Sequence, residues 1–198
     1  MKLIIGLGNP GPEYKQTRHN VGFLLLDTLA KEWGGEFQDK PRFKAMIAEV
    51  TVGNEKLLLI KPQTFYNLSG EAVRAIRDFY KLTNDDILTI ADEMALPFGT
   101  IRTRIGGTDA GNNGIASLIQ HLGPDFARIR VGTWTEQRSG GSASDFVLGK
   151  LSALEQEVLG NQITKVITQA VDAFASQQFV SETVQIDLAT PQTELPRT

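Results

Sequence analysis

Lys2-Leu3-Ile4-Ile5-Gly6-Leu7-Gly8-Asn9-Pro10-Gly11 stands at the head of the chain and decides its fold class. Residues 2–7 are a short apolar run ended by glycine, the pattern of a buried strand. The glycines also fit G-x-G-x-x-G after a strand, the pattern of a dinucleotide-binding loop. That reading fails on context. A dinucleotide loop needs a helix opening inside the glycines, so that its N-terminus meets the pyrophosphate. Here Pro10, Pro12 and the polar run from Glu13 to Arg18 delay the helix to Asn20. Asp27, near the distance expected of a ribose partner, falls inside the helix pattern instead of ending a second strand.

Downstream, Asn20 is a good N-cap, and Val21, Leu24, Leu25, Thr28, Leu29 and Trp33 follow helical spacing up to Gly34-Gly35. Residues 43–52 and 56–60 flank Gly53-Asn54-Glu55 and predict a β-hairpin. Ser69 is placed to cap a helix running to about Leu82. Strands are expected at 87–91, 100–105 and 127–131, with a Gly-Gly loop and a short helix over 113–122 between the last two. A flexible stretch at 138–144 precedes a helical region over 150–176, with Gly160 as a break. Strands and helices mixed in this way, without internal repeats, predict one layered α/β domain with a mixed sheet over 1–188. The last segment, 189–198, carries Pro191 and Pro196 and reads as a flexible tail.

Composition excludes several function classes. Of 198 residues, 41% are hydrophobic and 22% charged, the balance of a globular protein. The longest apolar runs fall far short of the roughly 20 residues a bilayer requires. The run after Met1-Lys2 is too short for a signal-peptide core. With no cysteine there is no disulfide, thiolate nucleophile or cysteine zinc site, and a reducing cytoplasm is permitted. The net charge of −3 is unevenly spread: residues 151–198 hold two basic and six acidic side chains, so the first 150 sum to +1. Within those, Arg102, Arg104, Arg128 and Arg130 come from two strand-like stretches and are placed either to form a local basic face or to solvate a strand edge.

Polar side chains collect at strand ends. Asn9 follows the first strand, Asn67 the hairpin, and Asp92 the third strand, while Asn113 opens a helix and His19 precedes one. In an α/β sheet such positions gather into one crevice. Taken one at a time, each asparagine also suits a turn or cap, and His19 a loop bond to a carbonyl. No serine sits in a G-x-S-x-G elbow, and no H-E-x-x-H or similar metal spacing occurs. His121, in Ile119-Gln120-His121-Leu122-Gly123, fits a cation near a helix C-terminus, so any histidine chemistry falls to His19.

Residues 6–14 and Thr17-Arg18-His19-Asn20-Val21-Gly22 closely resemble the N-terminal signature of bacterial-type peptidyl-tRNA hydrolases. Residues 61–70, KPQTFYNLSG, are similar to the family's second motif, and 92–99, DEMALPFG, to its third; 102–114 and 126–132 continue the match. The resemblance covers about residues 2–150. It implies a single three-layer α/β/α domain that hydrolyses the ester joining a peptide to the 3′ ribose of tRNA, in a cytoplasmic monomer with no metal or organic cofactor and no membrane partner. It implies that His19 is the catalytic base and Asp92 its partner. It also implies that Asn9, Tyr14, Tyr66, Asn67 and Asn113 hold the substrate, and that Arg102, Arg104 and Arg130 meet the acceptor-stem phosphates. Imidazole suits proton abstraction near neutral pH, and a carboxylate on its other nitrogen fixes the tautomer. The chain departs from the family pattern at three places: Tyr66 stands where methionine is usual, Asn112 where histidine is usual, and Gly132-Thr133-Trp134 where Gly-x-Gly-x-Pro is usual. These departures keep open an alternative, an RNA-binding relative that has lost the hydrolysis.

Overall fold

The computed structural model describes residues 1–135 and 142–188. Its first strand, β1 (Lys2–Gly6), is fully buried, as its unbroken apolar run requires of a strand covered on both faces. The helix α1 (Val21–Glu32) is delayed by two short 3-10 turns, Pro12–Tyr14 and Arg18–Asn20. Next come β2 (Gln38–Lys40) and the hairpin β3 (Ala45–Val52) and β4 (Glu55–Pro62), with Val52 paired to Glu55 across Gly53-Asn54. The chain continues through α2 (Ser69–Tyr80), β5 (Ile87–Pro97), β6 (Thr100–Ile105), α3 (Asn113–Leu122) and β7 (Ala127–Trp134). It ends with α4 (Ala143–Leu148), α5 (Ala153–Val158), α6 (Thr164–Ala175) and β8 (Thr183–Gln185).

The strands form one sheet in the order β2-β3-β4-β1-β5-β7-β6-β8. The central four, β4, β1, β5 and β7, are parallel, and the strands on either side of them are antiparallel, so the sheet is mixed. Alternation of side chains divides the core in two. Ile4, Leu59, Ile90 and Ile129 face α1 and α6 through Leu25, Leu29, Ile167 and Val171. Leu3, Ile5, Leu58 and Ile60 face α2 and α3 through Val73, Ile76, Ile115 and Leu118. The architecture is therefore the expected three-layer α/β/α sandwich. Among the described residues, no helix is long and apolar enough to cross a membrane.

Several boundaries differ from expectation for identifiable reasons. β5 does not end at Asp92; it runs on to Pro97 through an irregular step after Glu93, and Trp134 of β7 pairs with its end. Ser69 is the first residue of α2 and not its cap, because its hydroxyl bonds back to Tyr66 O at 2.9 Å. Ser142–Ser144, expected to be flexible, begin α4, with Ser142 and Asp145 forming a reciprocal capping box. Residues 138–141 and the expected tail 189–198 lie outside the described residues. Gly160 sits in a π-helical step that joins α5 to α6 without ending the helix. The short strands β2 and β8 carry no alternation that the sequence reading detects.

Gly6 and Gly8, two of the glycines that mimic a dinucleotide loop, serve packing. A Cβ on Gly22 would lie 2.5 Å from Leu7 N and 2.6 Å from Ile90 O, and one on Gly6 would lie 2.5 Å from Gly22 O. The start of α1 therefore rests directly on the backbone just past β1 and on the backbone of β5 at Ile90, which brings the turn before it over the end of β1. Asp27 faces outward from α1 to Lys61, 2.5 Å away.

Candidate active site

β1 lies between β4 and β5, and the chain crosses from one side of β1 to the other after β4, which opens a crevice beyond the strand ends. Three segments meet there: the loop after β1 with Asn9, the 3-10 turn Tyr66–Leu68 after β4, and the extension of β5 with Asp92. They line a cleft of about 600 Å³ together with Tyr14, His19, Asn67, Asn112 and Asn113. Leu148 and Val147 of α4 close part of its wall.

His19 is held from behind. Its neighbour Arg18 is buried, donates through Nη1 to Lys150 O at 2.7 Å, and through Nη2 to both carboxylate oxygens of Glu155 at 2.7 and 2.9 Å. Glu155 also closes the capping box that begins α5, so the turn carrying His19 is tied to the C-terminal helices. On the other side, the Asn20 amide brackets the Asn9 backbone, accepting from its N–H and donating to its carbonyl, both at 2.9 Å. Asn20 was expected to cap α1; it instead clamps the β1 loop to the His19 turn. A buried amide must find several partners, and that demand is the signal that could have revealed it.

His19 Nδ1 lies 3.0 Å from both carboxylate oxygens of Asp92. A carboxylate accepts only, so Nδ1 carries the proton and Nε2 is the basic nitrogen. Asp92 is 3% exposed and His19 keeps 18% of its side chain open. The His19 ring stacks on Tyr66 with centroids 3.5 Å apart and planes 16° from parallel. The Tyr66 hydroxyl donates to Asp92 Oδ1 at 2.5 Å and accepts from Asn112 Nδ2 at 2.9 Å. Burial, reinforced by the Asp92 charge, pushes the Tyr66 phenol well above its ordinary range, so it stays protonated at neutral pH. Phe65, immediately before, has φ 61° and ψ 157°, a strained conformation for a side chain with a Cβ, and there the chain turns Tyr66 inward.

The expected asparagines sit around this pair. Asn9 Oδ1 accepts from Tyr66 N at 2.8 Å, which leaves its NH₂ for a ligand. Asn67 and Asn113 are exposed on the rim, and Tyr14 is half-buried. Among the described residues, no group of three His, Cys, Asp or Glu side chains is arranged to hold a metal ion. His121 lies in the last turn of α3 with Nδ1 2.8 Å from Ser117 O, outside the cleft lining.

The arginines divide. Pairing of β6 with β7 sets Arg102 beside Arg130 and Arg104 beside Arg128 on one face of the sheet. Arg128 is buried, donates to Thr108 O and Pro124 O, and is lowered to about 10 by burial and by its neighbour Arg130. Arg130 also donates to Thr108 O and pairs with Glu93 at 2.5 Å. These two brace the loop that leads to Asn112, whereas Arg104 is exposed and Arg102 half-buried. Alternation along β7 carries no sign that one arginine of the face is buried.

The family model for peptidyl-tRNA hydrolase matches residues 3–194. The chain belongs to that family. It is 44% identical over 174 residues to the peptidyl-tRNA hydrolase of Geobacillus kaustophilus, covering 87% of this chain and 90% of the relative. Over 160 residues it is 47% identical to that of Gloeobacter violaceus, covering 80% of each. The crystal structure of peptidyl-tRNA hydrolase from Acinetobacter baumannii, 33% identical, superposes with a TM-score of 0.82 over 90% of both chains. These relatives agree with the family and fold expected from the motifs, and they lend no support to a non-hydrolytic RNA-binding relative.

Proposed function

We infer that the chain hydrolyses the ester between a peptide and the 3′ ribose of tRNA, with His19 as general base. The observation that carries this reading is the His19–Asp92 pair at the floor of the cleft, with Nδ1 committed to the carboxylate and Nε2 left for solvent. A water held at Nε2 gives up a proton as its oxygen adds to the ester carbonyl carbon. The ester C–O bond then breaks, and the proton returns from Nε2 to the departing ribose oxygen. Asp92 stabilises the imidazolium in between. The free NH₂ of Asn9 and the rim amides of Asn67 and Asn113 suit a neutral peptide backbone, because an amide both donates and accepts. In this scheme His19 itself activates the water, so no step calls for a metal or cofactor.

Arg102 and Arg104 are the arginines of the sheet face best placed for acceptor-stem phosphates; Arg130 reaches them only from its pair with Glu93. Phosphate contacts are sequence-blind and weaken with salt. Arg102→Ala is therefore expected to raise KM and flatten its salt dependence, with kcat unchanged; a fall in kcat at saturating substrate would place Arg102 at the reaction centre instead. A cytoplasmic monomer fits this reading, since aminoacylated tRNA is an intracellular substrate and one chain supplies every group named. The decisive experiment is release of free tRNA from N-blocked aminoacyl-tRNA by the purified protein with a chelator present. Binding without release would refute hydrolysis.

A further inference from the structure

Tyr66 and Asn112 both line the cleft, and a hydrogen bond joins them. We propose that Tyr66 is a positioning residue for the general base: its hydroxyl, oriented by Asn112, donates to Asp92 and so makes His19 a weaker base than the His19–Asp92 pair alone would be.

The direction of each hydrogen bond follows from the one beside it. Asn112 is the N-cap of α3, and its Oδ1 accepts from Ile115 N at 3.0 Å. That bond fixes the amide, so its NH₂ must point the other way, to Tyr66 Oη at 2.9 Å and Asp92 O at 3.1 Å. Tyr66 Oη, already accepting from Asn112, sends its own proton to Asp92 Oδ1. Asp92 therefore receives two donors, the Tyr66 hydroxyl and the His19 Nδ1–H. A carboxylate whose charge is partly satisfied by a phenol attracts an imidazolium less strongly.

Packing holds the phenol in place. Its ring lies against His19 on one side, and Gly114 makes room for it: a Cβ there would stand 2.4 Å from Tyr66 Cε1. Among the described residues, the charged groups on the elements around the pair are already partnered. Glu93 on β5 pairs with Arg130, and Arg18 beside His19 pairs with Glu155. Asp145 on α4 is held by Ser142, and Asp109 on the loop before α3 accepts from Gly111 N. Among the described residues of the cleft lining, Tyr14 is the remaining titratable group.

This inference rests on the reading of His19–Asp92 as the base pair, but it is tested without turnover. The imidazole of His19 is titrated by NMR in the free protein, with His121, bonded to Ser117 O in α3, as internal reference. Tyr66→Phe keeps the stacked ring and removes only the donor, and is expected to move the His19 midpoint up by ~0.5 pH unit or more. The acid limb of kcat/KM should move with it. A mono-fluorinated tyrosine at position 66, a stronger donor of nearly the same shape, should move the midpoint down. An unchanged or lowered midpoint in folded Tyr66→Phe overturns the proposal; should that variant not fold, an unmoved midpoint in the fluorinated protein does so. Failure of the wild-type protein to release tRNA would instead count against hydrolysis, leaving the titration result to stand on its own.

Discussion

Replacing His19 with alanine is expected to lower kcat by at least ~10²-fold while leaving tRNA affinity little changed. General-base catalysis by a positioned side chain contributes about 10²- to 10⁴-fold, and 10² corresponds to about 2.7 kcal/mol of barrier. Affinity should persist because the groups assigned to tRNA lie elsewhere: Arg102 and Arg104 project from β6, and neither bonds to the His19 turn. Loss of the ring also uncovers one face of Tyr66, a modest packing change on a side chain that stays anchored to Asp92 and Asn112. Single-turnover rates and tRNA binding measured on the same preparation distinguish the outcomes. Parallel loss of binding and turnover would make His19 a structural residue.

How far the sequence discloses this site depends on what kind of constraint each residue obeys. β1, α1, α3 and the hairpin are legible because hydrophobic periodicity and turn chemistry are local, and α3 falls where its pattern places it. His19 and Asp92, 73 positions apart, come within 3.0 Å because the turn before α1 and the last regularly paired residues of β5 are gathered on one side of the parallel strands. The roles of Asn20 and Arg128 are not legible in this way. Each looks like a local feature, a cap and a strand-face cation, and each is claimed by a partner that only the tertiary fold supplies: Asn9 for one, Thr108 and Pro124 for the other. The contact between Tyr66 and Asn112 is hidden for the same reason, since 46 residues separate them and neither carries a charge. β8 is short and polar, and it is a strand because β6 offers an edge to pair with.

Asp92→Asn is expected to reduce kcat more steeply than its small change in shape suggests, on the order of 10³-fold, with the fold intact. In the wild-type site two donors converge on this side chain, the Tyr66 hydroxyl at 2.5 Å and His19 Nδ1 at 3.0 Å, and a carboxylate accepts both. An amide offers one oxygen. If that oxygen keeps the Tyr66 proton, the amide NH₂ faces Nδ1, and the imidazole answers by shifting its proton to Nε2. The ring is then in the tautomer that cannot accept a proton from water. The imidazolium formed during the reaction also loses its counter-charge, so the acid limb of kcat/KM should move to lower pH. That shift is opposite in sign to the one expected of Tyr66→Phe, because one change removes the negative charge beside His19 and the other exposes it. Measuring both profiles separates the carboxylate from the phenol that restrains it. Near-normal kinetics for Asp92→Asn, with an unmoved acid limb, would remove Asp92 from the mechanism.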